Sequence, residues 1–173
     1  MTEPDSTELD QRFSASNATA TPWVDAVRGL TDARIYWITT VRHDQRPHVT
    51  PLIGLWFADS FIFCTGPGEQ KAKNIVDNSN CAVLTGCNTY EEGLDVVVEG
   101  NAERVVDEAR LLRLAEQFLA KYGDEWRFEV RESAFHHEGG EAWVFEVAPS
   151  KVLGFVRGDR AAQTRWLFDP RAS

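Results

Sequence analysis

No stretch of this 173-residue chain approaches the roughly 18 consecutive apolar residues of a transmembrane helix. The N-terminus is acidic and polar, unlike a secretory signal peptide. A cytoplasmic protein without a membrane partner is therefore expected. Basic residues are the scarcer charge: 18 Lys and Arg stand against 27 Asp and Glu, a net charge of -9. That balance argues against nucleic acid or an anionic membrane as partner. Cysteine is also scarce. Cys64, Cys81 and Cys87 are odd in number and lack CxxC spacing. Cys64 and Cys81 lie in apolar, strand-like runs, so buried free thiols in a reducing compartment are expected, and no metal site. GxGxxG, P-loop, HExxH and GxSxG motifs are all missing. A dinucleotide fold and the common hydrolases are disfavoured accordingly.

Apolar residues make up 43% of the chain, enough for a core. The length suits one domain, over residues 21–173, preceded by a polar, flexible tail over residues 1–20. Thr21-Pro22-Trp23 predicts a helix entry, with Thr21 as N-cap and Pro22 at the first helical position. Trp23, Val24, Val27 and Leu30 would face inward. Residues 33–42 are β-rich, with Ile35, Trp37, Thr39 and Val41 sharing one face. A polar His43–Arg46 connection makes a hairpin with the next strand.

The stretch Arg46–Asn74 organises the rest. Val49, Ile53 and Leu55 share one face of an extended strand. A turn at Ala58-Asp59-Ser60 leads to the alternating Phe61 and Phe63. A Thr-Gly-Pro loop then opens a helix carrying Lys71 and Lys73. Unpaired N–H groups and cations at a helix start suit a phosphate, although the same lysines also suit a plain solvated face.

Short strands follow at residues 81–86 and 94–103, with Val96 and Val98 on one face and a bulge at Gly100. Residues 107–122 are the clearest helix. Its stripe of Leu111, Leu114, Ala115, Phe118 and Leu119 reads as core, and Gly123 ends it. Trp126, Phe128, Val130 and Phe135 nearly alternate. His136 and His137 are adjacent and point opposite ways on a strand, a poor chelate. Two further strands are expected at residues 141–149 and 151–157, and a last one at 163–168. Asp95 and Glu99 lie roughly 13 Å apart along a strand, too far for a catalytic carboxylate pair. About six or seven short antiparallel strands with flanking helices predict a mainly β chain, a closed or half-closed barrel.

Several runs, taken in order, carry a resemblance. They are Tyr36-Trp37-Ile38-Thr39-Thr40-Val41-Arg42, Arg46-Pro47-His48-Val49-Thr50-Pro51-Leu52, and Phe63-Cys64-Thr65-Gly66-Pro67 with Lys71-Ala72-Lys73-Asn74. Asp95-Val96-Val97-Val98-Glu99-Gly100-Asn101-Ala102, Lys151-Val152-Leu153 and Gln163-Thr164-Arg165 complete the set. Together they resemble the pyridoxamine 5′-phosphate oxidase-like family of flavin-binding split barrels, and within it the oxidase-like proteins abundant in actinobacteria. The resemblance implies a six-stranded antiparallel split β-barrel and a homodimer with two cofactors at the subunit interface. It implies FMN as cofactor, with the deazaflavin coenzyme F-420 as the alternative. The cofactor ring would lie against Val49, Thr50 and Pro51, beside His48, and the phosphate at Thr65 and Lys71. Cys64, Gly66 and Lys73 adjoin that site. Arg165 matches a C-terminal arginine that reaches the site, that of the partner subunit. Thr50 and Gln70 stand where the vitamin oxidase has phosphate-gripping arginines, which counts against the vitamin-oxidase activity.

The chemistry implied is hydride transfer between the cofactor and an unknown small molecule, with no catalytic side chain assigned. Trp56, His137 and Trp166 are candidates to line the substrate face, although each also suits core or interface packing. The alternatives are a flavin- or haem-binding carrier or sensor without turnover, and a dimeric scaffold that has lost its ligand.

Overall fold

A computed structural model describes residues 2–169; Met1 and residues 170–173, the extremities of the expected tail and domain, lie outside it. The chain begins with strand β1 (Ser6–Leu9), a 3₁₀ turn and helix α1 (Trp23–Asp32). Strands β2 (Tyr36–Val41), β3 (Pro47–Leu52), β4 (Leu55–Phe57) and β5 (Ser60–Thr65) lead to α2 (Gln70–Asp77). Strands β6 (Asn80–Thr85) and β7 (Gly93–Val105) precede α3 (Glu108–Tyr122). The hairpin β8 (Glu129–Arg131) and β9 (Ala134–His137), then β10 (Gly140–Arg157) and β11 (Ala162–Leu167), complete the described chain.

All strand pairs are antiparallel, and one path runs β1-β11-β10-β7-β6-β2-β3. The first half of β10 also pairs with β5, which carries β4. The ring is not closed by hydrogen bonds. Its two free edges, β3 and β4, are consecutive in the chain and separated only by Ile53 and Gly54. This is the expected mainly β split barrel with flanking helices. Eleven strands are present among the described residues, more than the six or seven anticipated.

Three local causes explain the difference. The expected 46–56 strand is interrupted at Ile53 and Gly54, where the backbone comes so close to Phe61 that a Cβ on Gly54 would lie 2.3 Å from its ring. Residues 124–140 fold into the β8–β9 hairpin, turned by Glu132 and Ser133 in the left-handed region (φ 53° and 54°). The N-terminal segment supplies β1, which pairs with β11 from Ser6↔Leu167 to Leu9↔Thr164. The flexible tail is thus corrected to a docked edge strand. Its polar composition reflects an exposed edge, where charge blunts further pairing.

In the opposite sense, the two strands expected at 141–149 and 151–157 are one strand. β10 continues through Pro149 with a register shift between Pro149 and Lys151, and the Ser150 hydroxyl donates to the Glu99 carbonyl (3.1 Å). The bulge therefore lies on β10. Gly100 faces it because a Cβ at Gly100 would lie 2.3 Å from the Ala148 oxygen.

Turn chemistry accounts for the tight hairpins. Ala58 and Asp59 both adopt positive φ (49° and 63°), as a two-residue hairpin with right-handed strand twist requires. α1 starts one residue later than predicted, with Pro22 at the cap, while the Thr21 N–H donates to Thr164 Oγ1 (2.9 Å). Its buried face is Trp23, Ala26 and Leu30; Val24 is exposed. α3 follows the prediction closely. Asp107 caps it by accepting from the Arg110 N–H (2.8 Å), and Gly123 ends it at φ 91°.

Two cores result. One fills the barrel with Tyr36, Ile38, Phe61, Phe63, Val83 and Phe145 beneath α1. The other joins Leu111, Leu114 and Phe118 of α3 to Leu55, Ile62 and Phe135.

The end of α3 clasps the β3–β4 seam. Tyr122 Oη accepts the Gly54 N–H (3.0 Å) and lies 2.8 Å from the Gly54 oxygen. Lys121 Nζ donates to the Gly54 oxygen (3.2 Å) and to Tyr36 Oη (2.8 Å). Burial, helped by the nearby Arg34 charge and opposed by Asp32, lowers the Lys121 pKa to about 8 from 10.5. The folded state therefore binds fewer protons here than the unfolded chain between those two values. Stability contributed by this residue must rise as pH climbs through that window. Urea unfolding of the wild type and of Lys121→Met from pH 7.5 to 10.5 checks this. The difference between them should move in the wild type's favour; a constant difference contradicts the assignment.

Candidate functional site

A cavity of about 470 Å³ opens where the β3–β4 seam, the end of β5, the start of α2 and the β8–β9 hairpin meet. Ile35, Pro51, Leu52 and Ile53 supply an apolar wall. Trp126, Phe128 and His137 supply an aromatic one, and Cys64, Thr65, Gly66, Glu69 and Lys71 with Gly139, Gly140, Glu141 and Ala142 line the rest. Such a volume is ordinary for a small-molecule site. A larger cavity, about 590 Å³, lies near the chain ends, lined by Glu3, Asp5, Asp59, Glu103, Glu146 and Asp169, with no Lys or Arg on its walls. Its charge opposes a phosphate-bearing ligand, so the smaller cavity is the candidate site.

α2 aims a cation into that cavity. Asn74 is buried and donates through Nδ2 to Thr40 Oγ1 of β2 (2.9 Å). Gln70 holds its other end, donating to Asn74 Oδ1 (2.7 Å). With α2 fixed in rotation, Lys71 is only 7% exposed and lines the cavity. Lys73 is exposed and does not line it, since residues two apart point to nearly opposite sides of a helix. That removes Lys73 from the expected set.

Lys71 forms an ion pair with Glu69, whose Oε1 accepts the Gly66 N–H (2.8 Å). Burial tends to raise the Glu69 pKa, but Lys71 and Gly66, with a smaller effect of the Thr65 hydroxyl, hold it below the usual carboxylate range. Glu69 occupies the N-cap without a side-chain bond to the helix, so first-turn N–H groups of α2 stay uncapped.

Along β3, strand alternation divides the expected ring-binding residues. His48, Thr50 and Leu52 lie opposite the inward-facing Thr40, Ile38 and Tyr36, whereas Val49 and Pro51 lie on the outer face. Pro51 lines the cavity; Val49 is 52% exposed beside it. His48 Nδ1 and Thr50 Oγ1 are buried without hydrogen-bond partners, and Thr65 Oγ1 at the end of β5 makes no hydrogen bond of ordinary geometry although its hydroxyl lies close enough to Glu69 to stabilise the carboxylate. The His48 pKa is lowered by burial and by the charges of Arg42 and Lys71, which places Lys71 in the field of His48 and favours a neutral imidazole. β3 pairs only with β2, and the outer edge of such a strand offers unpaired backbone groups.

The Thr65 hydroxyl, an apolar slot and a buried cation on one cavity wall fit a planar, phosphate-bearing cofactor. Pro51, Cys64, Thr65, Gly66, Lys71 and His137 of the expected residues are gathered here. His137 stacks on Trp126 (6.1 Å between centroids, 18° between planes). Burial pushes the Cys64 thiol up to about 12, so it stays protonated and is no nucleophile.

Trp56 and Trp166 are corrected. They are 9% and 0% exposed and pack on Trp23 in the barrel core, with ring centroids 6.0 and 5.5 Å away. Both sit on the inward face of their strands, and Gly154 leaves the space that Trp166 fills. Arg165 does not line the cavity of its own chain; it pairs with Glu8 across β1 and β11 (2.7 Å). Asp95 and Glu99 each hold their own cation, Arg157 (2.8 Å) and Lys151 (2.6 Å). His136 Nδ1 lies 3.2 Å from Arg131, and among the described residues no group of three His, Cys, Asp or Glu is placed to hold a metal.

Sequence reasoning missed Glu69, Trp126 and Phe128 as wall residues. Glu69 was legible as a carboxylate two positions before Lys71. The two aromatics were visible as an alternating pair, but nothing local told that their hairpin would fold over the seam.

Residues 24–155 match the family described as pyridoxamine 5′-phosphate oxidase. No curated protein matches the chain. Among solved structures, a conserved hypothetical protein from Mycobacterium tuberculosis superposes with a TM-score of 0.64 at 16% identity, over 80% of this chain and 86% of its own. A heme binding protein from Mycobacterium smegmatis gives 0.66 at 10% identity, over 84% of this chain and 59% of its own. A FAD binding protein from the same organism gives 0.59 at 19% identity, over 80% and 99%. At such identities these likenesses establish a common fold. The family match spans most of the chain, from α1 to the second half of β10, and the chain belongs to the pyridoxamine 5′-phosphate oxidase family.

Proposed function

We propose that this chain is a flavin-dependent oxidoreductase that binds FMN in the 470 Å³ cavity and acts on a small molecule. The observation that carries the reading is the buried Lys71 at the uncapped start of α2, beside an apolar slot. A bound flavin would supply hydride transfer, and the deazaflavin coenzyme F-420 is the alternative with the same chemistry. The chain's own residues bind and orient. Lys71, Thr65 and the first-turn N–H groups of α2 would hold the phosphate. Thr50 and His48 sit on the barrel side of β3 and do not line the cavity, so they are not assigned a contact to the cofactor. Ile35, Leu52 and Ile53 opposite Trp126 and Phe128 exclude water from the slot. The likeness to a protein named as FAD binding supports the cofactor class.

The second reading is a carrier or sensor without turnover, for flavin or haem. It is favoured by the likeness to a protein named as heme binding and by His137, an exposed imidazole on the cavity wall. A Soret band on adding haem, lost in His137→Ala, would support it; steady reduction of a substrate by the flavin-loaded protein would exclude it.

The functional unit in this proposal is a homodimer. Ile35, just before β2, and Trp37 and Val49, on the outer face of β2 and β3, are 55%, 45% and 52% exposed, and Ile35 also lines the cavity. An apolar strip of this kind beside the site suits a second subunit. Arg165 is then the candidate to reach the cavity of the other subunit.

Two measurements test these points. Lys71→Ala is expected to weaken FMN binding about ten- to a hundredfold, the usual cost of a lost charge-assisted contact, and to leave riboflavin binding unchanged. Unaltered FMN affinity would remove Lys71 from the phosphate site. In solution at micromolar concentration the protein should have twice the mass of one chain, and Trp37→Glu should halve it. A monomeric wild type contradicts the shared site.

A further inference from the structure

The anion position of the cavity already holds a carboxylate. Glu69 accepts the Gly66 N–H through Oε1 and pairs with Lys71 through Oε2, beside the buried Thr65 hydroxyl. Lys71 and Thr65 are donors that a phosphate at this site would use, and the Gly66 N–H lies beside them. The Glu69 side chain is 52% exposed, whereas that of Lys71 is 9% exposed. The acid can therefore swing into solvent while the lysine stays. Thr65 is 3% exposed, and its Oγ1 lacks a hydrogen bond of ordinary geometry. An acceptor larger than a carboxylate is what would satisfy it together with the first-turn N–H groups of α2.

We propose that Glu69 is an internal competitor for the phosphate subsite, and that its charge sets how tightly the cavity holds a phosphorylated ligand. The inference rests on the placing of the phosphate at Lys71. Binding a phosphate dianion requires Glu69 to release Lys71 and Gly66 and turn outward. Left in place, its charge repels the ligand at contact distance. The cost falls only on ligands that carry the anion, so Glu69 discriminates against the phosphate and not against the ring.

The test is titration calorimetry of wild type and Glu69→Gln with three probes: FMN, riboflavin and inorganic pyrophosphate. Glutamine keeps an acceptor for the Gly66 N–H and removes the charge. FMN and pyrophosphate are expected to bind the variant about tenfold more tightly, with riboflavin unchanged. Measured against Lys71→Ala alone, the gain in Glu69→Gln/Lys71→Ala should be smaller, because part of what the acid withholds is the lysine; an undiminished gain would overturn competition for Lys71. Glu69→Ser, with a shorter neutral side chain, should reproduce the gain. Equal or weaker FMN and pyrophosphate binding by Glu69→Gln overturns the role of Glu69, while FMN binding by the wild type leaves the flavin reading standing. A pyrophosphate gain in proteins that bind neither flavin keeps the role of Glu69 and removes the flavin reading. Failure of all proteins to bind any probe overturns both.

Discussion

The pairing of one strand sets the positions of everything else. β10 runs for 18 residues, pairs with β9 at residues 140–142 and keeps β7 along one edge from Val144 to Arg157. Along its other edge it pairs first with β5, at residues 143–147, and then with β11, at residues 151–156. The change of partner falls at the Pro149–Lys151 register shift, where Gly100 admits the bend. Proline and an extra residue are tolerated there because that stretch of edge has no partner on the β5 side. Without the switch, β5 and β11 would compete for one edge. With it, the end of β5 and the start of α2 come beside the β3–β4 seam. The seam is then clasped from outside by Lys121 and Tyr122. The cavity is thus a consequence of topology: it forms where the barrel fails to close.

Charge gives that opening its chemistry. In an acidic chain, a lysine of low exposure is costly unless paired. Here the cost is met by Glu69, and the orientation of Lys71 is fixed by Asn74 bonding to Thr40. Asp95, Glu99 and Arg165 each engage a surface partner instead. The cation within the cavity walls is therefore Lys71, and the neighbouring His48 is held towards neutrality by burial, Arg42 and Lys71 itself. Apolar and aromatic walls on either side lower the local dielectric, which strengthens the pull of that single cation on a ligand.

Residues whose role follows from local pattern were legible in the sequence. The stripe of α3 and its Gly123 stop, the alternation of Val96 and Val98, and the lysine at the start of α2 all follow from period and turn chemistry. What depended on distant contacts was not. The expected 46–56 strand is interrupted at Ile53 and Gly54, where the backbone comes close to Phe61 of β5. β1 has a polar sequence because it is an edge, and polarity alone reads as a tail. Trp56 and Trp166 have the composition of a binding surface, but their strand faces point into the barrel. Trp126 and Phe128 become cavity wall only because the β8–β9 hairpin folds over the seam. By local pattern Lys71 and Lys73 were both cations at a helix start, and only the resemblance preferred Lys71; the Asn74–Thr40 bond, fixing the rotation of α2, is what buries Lys71 and exposes Lys73.

The central claim is that this cavity holds a flavin. The most direct measurement is the absorbance spectrum of the purified protein, followed by titration with FMN and with coenzyme F-420. Saturable binding of one FMN per chain, with shifted flavin bands and quenched fluorescence, is the predicted result. Binding of the deazaflavin alone would replace the cofactor and keep the site. No binding of either would contradict the account and leave only the fold.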